Sequence, residues 1–169
     1  MAPYMPLGGD GYSNEQEATA TCFCGTVQIV VPLAGEALID TFICHCADCR
    51  KITASMFASG FIVTDAALKH TRGEDKLTKY ARSAQIASGN TVTNFFCSVC
   101  GTLMYRRSSG FPGVSAPRIG TVDDFGLHGT KLKPRIEQFG RDWVGWCKGG
   151  EGVEQSVGNF YGGEQGKAE

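Results

Sequence analysis

The chain has no long hydrophobic run. Its longest largely apolar stretches, Val27–Leu33 and Met56–Val63, fall far short of the roughly 20 residues that span a bilayer as a helix. It carries no excess of either charge. Lys plus Arg total 16 and Asp plus Glu 17, a formal net charge of −1. A protein that grips nucleic acid by bulk charge is strongly basic, so nucleic acid is not an expected partner. Met1–Asp10 has neither a basic start nor an apolar stretch. No secretory signal is therefore expected, and the cytoplasm is the default location. The sequence contains no phosphate-binding loop, no dinucleotide fingerprint and no Ser-His-Asp signature. It has no repeat of solenoid length.

What is present is ordinary in bulk and unusual in two residue types. The 169 residues are 42% apolar and 20% charged, as in a single globular domain with a core of normal size. Glycine occurs 23 times, about twice its usual share of roughly 7%. There are 8 cysteines. Residues 1–17 are rich in Pro, Gly and polar side chains and read as a flexible arm. Residues 149–169 form a Gly-rich tail that Phe160 and Tyr161 could pin down. Residues 18–148 form the expected domain.

Strand signals dominate that domain. The runs Thr26–Val31, Leu38–Ile43, Phe57–Val63, Leu77–Ala81, Thr91–Phe96, Thr102–Arg106, Arg118–Val122 and Arg135–Phe139 are β-branched, aromatic or alternating, and glycines punctuate them. Regular strands with Gly-rich turns predict a mostly-β sandwich. Ala47–Ser55 is the best helix candidate, and Asp123–Leu127 suits a single turn.

The cysteines fall as Cys22-x-Cys24, Cys44-His45-Cys46-x-x-Cys49, Cys97-x-x-Cys100 and a lone Cys147. Partners one or two residues apart bridge each other poorly but converge well on one ion. In a reducing compartment, clustered thiols more often bind metal than form disulfides. Cys97-Ser98-Val99-Cys100-Gly101 is a zinc-knuckle pattern, with Gly101 free to take positive φ. Cys22-Phe23-Cys24-Gly25 is a tighter version, since residues i and i+2 of a strand share a face. Two plus two gives a closed four-cysteine site, the usual structural zinc arrangement. Cys44, Cys46 and Cys49 offer three thiolates. That leaves either an open fourth position for water or substrate, or a closed site completed by His45 or Cys147. Seven thiolates and two Zn²⁺ would take the formal charge from −1 to about −4. A zinc on three thiolates is electron-rich and suited to accepting a further thiol, which coordination turns into the nucleophilic thiolate.

These residues resemble the glutathione-dependent formaldehyde-activating enzyme family, which also includes centromere protein V. The likeness lies in Cys22-x-Cys24-Gly25, Cys44-His45-Cys46-x-x-Cys49-Arg50 and Phe96-Cys97-x-x-Cys100-Gly101. It extends through Arg118-Ile-Gly-Thr-Val-Asp-Asp124, Pro134-Arg-Ile-Glu137 and Trp143. The resemblance implies a mostly-β, β-tent-like fold of packed antiparallel sheets with one or two short helices. It implies two Zn²⁺ per chain: a structural one on Cys22, Cys24, Cys97 and Cys100, and a second on Cys44, Cys46 and Cys49 that glutathione can approach. The implied reaction adds glutathione to formaldehyde, giving S-(hydroxymethyl)glutathione, a carbon–sulfur lyase chemistry. Two other readings stand beside it: the same site acting on a different small electrophile, and a zinc-stabilised binding module without chemistry.

Cys46, His45 and Arg50 are the candidates for catalytic roles. His45 lies between two ligands, where it could shuttle a proton, but strand alternation aims it away from the metal and toward a supporting role. Arg50 and Lys51 could steer a carboxylate-bearing substrate such as glutathione. Arg106 and Arg107 are adjacent, so at most one can face a site. Asp48 suits a cap on the following turn. Trp143 and Trp146 read as packing aromatics, His70 and His128 as surface residues, and Cys147 as a bystander.

Overall fold

The computed structural model describes residues 9–83, 89–147 and 149–162. Residues 1–8 of the expected arm and 163–169 of the expected tail lie outside that range. Two sheets carry the fold. Strands β1 (Glu17–Thr21), β2 (Gln28–Pro32) and β5 (Lys69–Arg72) form a three-stranded antiparallel sheet in the order β1-β2-β5. The larger sheet adds β3 (Leu38–Cys44), β4 (Ala58–Thr64), β6 (Leu77–Arg82), β7 (Val92–Cys97), β8 (Leu103–Ser108), β9 (Val114–Pro117), β10 (Ile136–Gln138) and β11 (Glu154–Gln155). Its order is β11-β10-β3-β4-β9-β8-β7-β6. The mostly-β expectation therefore holds. The expected antiparallel pairing holds except where β10 lies parallel to both β3 and β11. The α-helix α1 (Ala47–Thr53) follows β3. No helix among the described residues is long and apolar enough to cross a membrane.

Most strands lie within one or two residues of where β-branched runs place them. The exception is Arg118–Val122. Here the strand is the preceding Val114–Pro117, and Ile119–Thr121 is a 3-10 turn. Pro117 has no N–H for a ladder, which suits a strand end. The Thr121 N–H and hydroxyl both return to the Arg118 carbonyl, at 3.1 and 2.8 Å. The helix stops at Thr53 because Ala54 adopts a left-handed conformation, φ 50°, and closes the last turn through its N–H.

The main core lies between the sheets. Ile29 and Val31 of β2 meet Phe61 and Val63 of β4, Phe95 of β7 and Met104 of β8. A second, smaller cluster joins Phe42, Cys44, Cys49, Ala58 and Ile136, with Phe160 and Tyr161 packed against it. Segments outside residues 18–148 also make contacts. Asp10 pairs with Arg72, and the Ser13 hydroxyl donates to Asp124 at 2.6 Å. Glu154 reaches Arg135 at 3.0 Å, and Arg135 also holds Asp40 of β3 at 2.6 Å.

Two tight features hold β3 in place. Gly60 of β4 sits opposite Phe42, and a Cβ there would lie 2.8 Å from Phe42 Cζ and 3.1 Å from the Pro117 carbonyl oxygen. The bare backbone leaves the room that the Phe42 ring fills. The second feature is a buried hydrogen-bonded pair. His45 Nε2 donates to Glu137 Oε1 at 2.6 Å, both side chains being 1% exposed. The Gly150 N–H donates to the other carboxylate oxygen at 3.2 Å. This pair ties the turn after β3 to β10, and the parallel register of Gln138 with Cys44 adds backbone support.

Two substitutions test this packing. Gly60→Ala displaces Phe42 and should cost about 1–3 kcal/mol, read as a lowered urea midpoint. Glu137→Ala leaves His45 buried without its acceptor and should cost about 3 kcal/mol. An unchanged midpoint in either variant would contradict the packing described.

Candidate metal centres and the adjoining cleft

The first cysteine cluster is made from two hairpin tips. Residues 22–27 connect β1 to β2, and residues 98–102 connect β7 to β8. Each tip turns on a glycine with positive φ, 78° at Gly25 and 76° at Gly101. Their N–H groups close the turns onto the Cys22 and Cys97 carbonyls at 2.9 and 2.8 Å. The Sγ atoms of Cys22, Cys24, Cys97 and Cys100 all lie within 4.8 Å of one another. Measured pairs stand at 3.6 Å (Cys22 and Cys24) and 3.8 Å (Cys24 and Cys97). A tetrahedron with zinc–sulfur bonds of about 2.3 Å has edges of about 3.8 Å, and the two measured edges match it. Cys22 and Cys97 belong to the main core, whereas the intervening Phe23 and Val99 side chains are exposed.

The second cluster sits at the end of β3. Cys44 is its last residue, Cys46 is the N-cap of α1, and Cys49 lies in the first turns of that helix. Cys46 itself serves as the cap: its Sγ accepts the Cys49 N–H at 3.4 Å. Asp48, expected to cap, instead pairs with Arg82 at 3.6 Å, because the sulfur already fills the capping position. The three Sγ atoms lie within 4.8 Å of one another, with Cys44 and Cys46 3.5 Å apart. Cys147 joins neither cluster. His45 is turned toward Glu137, Phe57 and Trp143. Among the described residues, the second cluster therefore presents three ligands.

Proton affinities within each cluster diverge. Burial pushes the Cys22 thiol up to about 12. Burial also opposes ionisation of Cys100, yet the Thr102 hydroxyl and backbone N–H groups hold that thiol down to about 6. In the second cluster, contacts with Cys46 and Cys49, then burial, hold Cys44 well above the ordinary thiol value. Contact with Cys44 eases Cys46, but Cys49 and burial prevail and push it up to about 11. Contacts from Cys44 and Cys46 hold Cys49 well below the usual value, with help from the charges of Arg106 and Arg118. Contact with the Thr26 hydroxyl also lowers Cys24, and burial raises Cys97 as it does Cys22. Two thiolates of the first cluster and one of the second therefore form readily, and their neighbours resist. A divalent cation is the group that stabilises all of them together. Both clusters could hold metal ions, and their all-sulfur donor sets are consistent with zinc.

The two clusters have different surroundings. Cys49 forms part of the wall of a cleft of about 140 Å³, together with Asp48, Lys51, Ile52, Tyr80, Arg82, Val92, Asn94 and Arg106. Arg106 Nη1 donates to Cys49 Sγ at 3.6 Å, and its guanidinium lies 5.9 Å from the centre of the Phe42 ring. Strand alternation sends Arg107 to the other face, where it meets Ser115 and Asp65 at 2.9 and 3.2 Å. Arg118 is 6% exposed, and all three of its guanidinium nitrogens lack a hydrogen-bond partner among the described residues. Burial pushes its pKa down to about 10, with the like charge of Arg106 adding to the effect and the three cysteines opposing it.

The other singled-out residues find local partners. Arg50 donates to the Asp142 carbonyl at 3.3 Å, fastening α1 to the distant 3-10 turn Gly140–Asp142, and does not line the cleft. Lys51 does. Trp143 packs edge-on against His45, whereas Trp146 is 76% exposed and packs less than expected. His70 Nε2 lies 3.2 Å from the Tyr105 hydroxyl, and His128 Nε2 lies 3.1 Å from the Val122 carbonyl oxygen. Glu137, Arg82 and Arg118 escaped notice as isolated residues. The signal available was that Glu137 and Arg118 fall in the segments Pro134–Glu137 and Arg118–Asp124 that accompany the cysteine pattern.

Comparison with known proteins agrees with the cysteine pattern. No curated protein matches the chain. A Rhodobacter sphaeroides protein of known crystal structure is 25% identical, over 63% of this chain and 88% of that one, with a TM-score of 0.49. Residues 17–142 match the family described as glutathione-dependent formaldehyde-activating enzyme. That match takes in both cysteine clusters, α1 and the cleft, and the chain belongs to this family.

Proposed function

We propose that the protein is a zinc-dependent enzyme of carbon–sulfur lyase type that adds a thiol to a small carbonyl compound. Glutathione and formaldehyde are the pair that the family name indicates. In this reading Cys22, Cys24, Cys97 and Cys100 hold a structural zinc, and Cys44, Cys46 and Cys49 hold a second. The observation that carries the proposal is that the three-sulfur cluster meets a cleft through Cys49. A metal-saturated binding module would need no such opening. When bound there, zinc supplies a coordination position that favours the thiolate form of a fourth sulfur ligand.

The residues around that position do the rest. Its volume of about 140 Å³ is room for roughly five waters at about 30 Å³ each, which suits a small carbonyl and the reactive end of a thiol. Ile52, Tyr80 and Val92 form apolar walls that limit water around the reacting groups. Lys51 and Arg106 supply positive charge toward the carboxylates of a peptide thiol and toward a developing alkoxide. In the reaction the sulfur forms a bond to the carbonyl carbon, and the carbon–oxygen π pair moves onto oxygen. That oxygen takes up the proton the thiol has lost. His45 acts from behind by anchoring the Cys44–Cys46 turn to Glu137. The free thiols required suit a reducing compartment such as the cytoplasm.

The test is the rate of hydroxymethyl exchange between formaldehyde and glutathione, followed by NMR at equilibrium so that the uncatalysed background is measured directly. The zinc-loaded protein should raise that rate. Cys46→Ser should lower the catalysed part at least tenfold and retain one metal. Full activity and two metals in that variant would contradict the proposal.

A further inference from the structure

The second cluster is surrounded by more positive charge than its ligands require. Arg118 is the clearest sign: it is almost fully buried, and none of its three nitrogens has a hydrogen-bond acceptor. Arg106 stands close enough for the two like charges to oppose each other. Neither has a carboxylate partner among the described residues. The nearby carboxylates are committed, Glu137 to His45 and Asp48 to Arg82. Burying the unpartnered Arg118 guanidinium near the charge of half-buried Arg106 is costly. The charges they face are the sulfurs of Cys44, Cys46 and Cys49.

Formal charge then constrains what can join the cluster. A divalent metal on three thiolates carries a charge of about −1. Arg106 and Arg118 bring the local total to about +1. A neutral donor such as water leaves that excess in place, whereas an anionic donor removes it. We infer that Arg106 and Arg118 act as a pair of positioning charges that make the open side of the Cys44–Cys46–Cys49 centre selective for an anionic fourth donor, a thiolate over water. This rests on the reading of that cluster as a three-ligand metal site. Arg106 acts from the cleft wall, in contact with Cys49. Arg118 acts from behind and does not line the cleft.

The experiment uses the full chain loaded with Co²⁺, whose sulfur-to-metal charge-transfer band reports each thiolate bound. 2-Mercaptoethanol, which carries no other charge, is titrated in, and the difference spectrum gives its Kd. Metal content is measured before and after. The wild type should gain one cobalt–sulfur bond. Arg118→Met should bind the thiol at least tenfold more weakly at equal metal occupancy, and Arg118→Lys should recover most of the loss. A purely structural role for Arg118 would not be rescued by charge in this way. Arg106→Gln provides the second arm on the cleft side, with the same expected weakening, should Arg118→Met fail to fold. Equal thiol affinity in the wild type and in the folded charge-removing variants overturns this inference alone. A wild type that gains no cobalt–sulfur bond overturns the reading of the cluster and this inference with it.

Discussion

Thiolates repel one another, so the seven cysteine sulfurs gathered into two small volumes could all ionise only around cations. That constraint organises the molecule. In the first cluster the sulfurs of the β1–β2 hairpin tip meet those of the β7–β8 tip, so that an ion held there would fasten two distant segments at one point of the main core. The chain between them can then pass through both sheets and return. Four sulfurs would fill a tetrahedral ion there and leave no position for a further ligand. In the second cluster the same repulsion is met by three sulfurs only, at the end of β3, and positive side chains stand around it.

The two centres differ because their scaffolds differ. Hairpin tips bring two pairs of cysteines together, enough to fill a tetrahedral ion. A strand running into a helix cap presents Cys44, Cys46 and Cys49 from one side, with the cleft on another. The sulfur of Cys46 both caps the helix and joins the cluster, so helix formation and ligand placement are one event. Behind it, the His45–Glu137 pair fixes the turn against β10. Phe42, free to lie over Gly60, supports Arg106 from the sheet side. The site is therefore held by buried packing on one face and borders the cleft on the other.

Much of this was legible in the sequence because it is local. Knuckle spacing and the glycine after each second cysteine are short-range features, and so are the β-branched runs of β2, β3, β4 and β7. What was not legible depends on distant partners. The polar strand Lys69–Arg72 is a strand because β2 offers it an edge. β10 is parallel to β3 because a long connection brings it there. Proline at 117 moved the strand ahead of its β-branched signal into Val114–Pro117. Glu137 meets His45 across 92 positions, and Arg118 gains its meaning only beside the cysteines and Arg106. Adjacent Arg106 and Arg107 showed that one would face a site, but not which one.

The central claim is that two thiolate clusters hold two ions of different accessibility. Native mass spectrometry of the purified chain, with zinc supplied and a chelator then added stepwise, tests it most directly. The account predicts two zinc ions per chain, lost in two separate steps, with the second-cluster ion leaving first and the fold surviving its loss. A single zinc, or two ions lost together with unfolding, would contradict it.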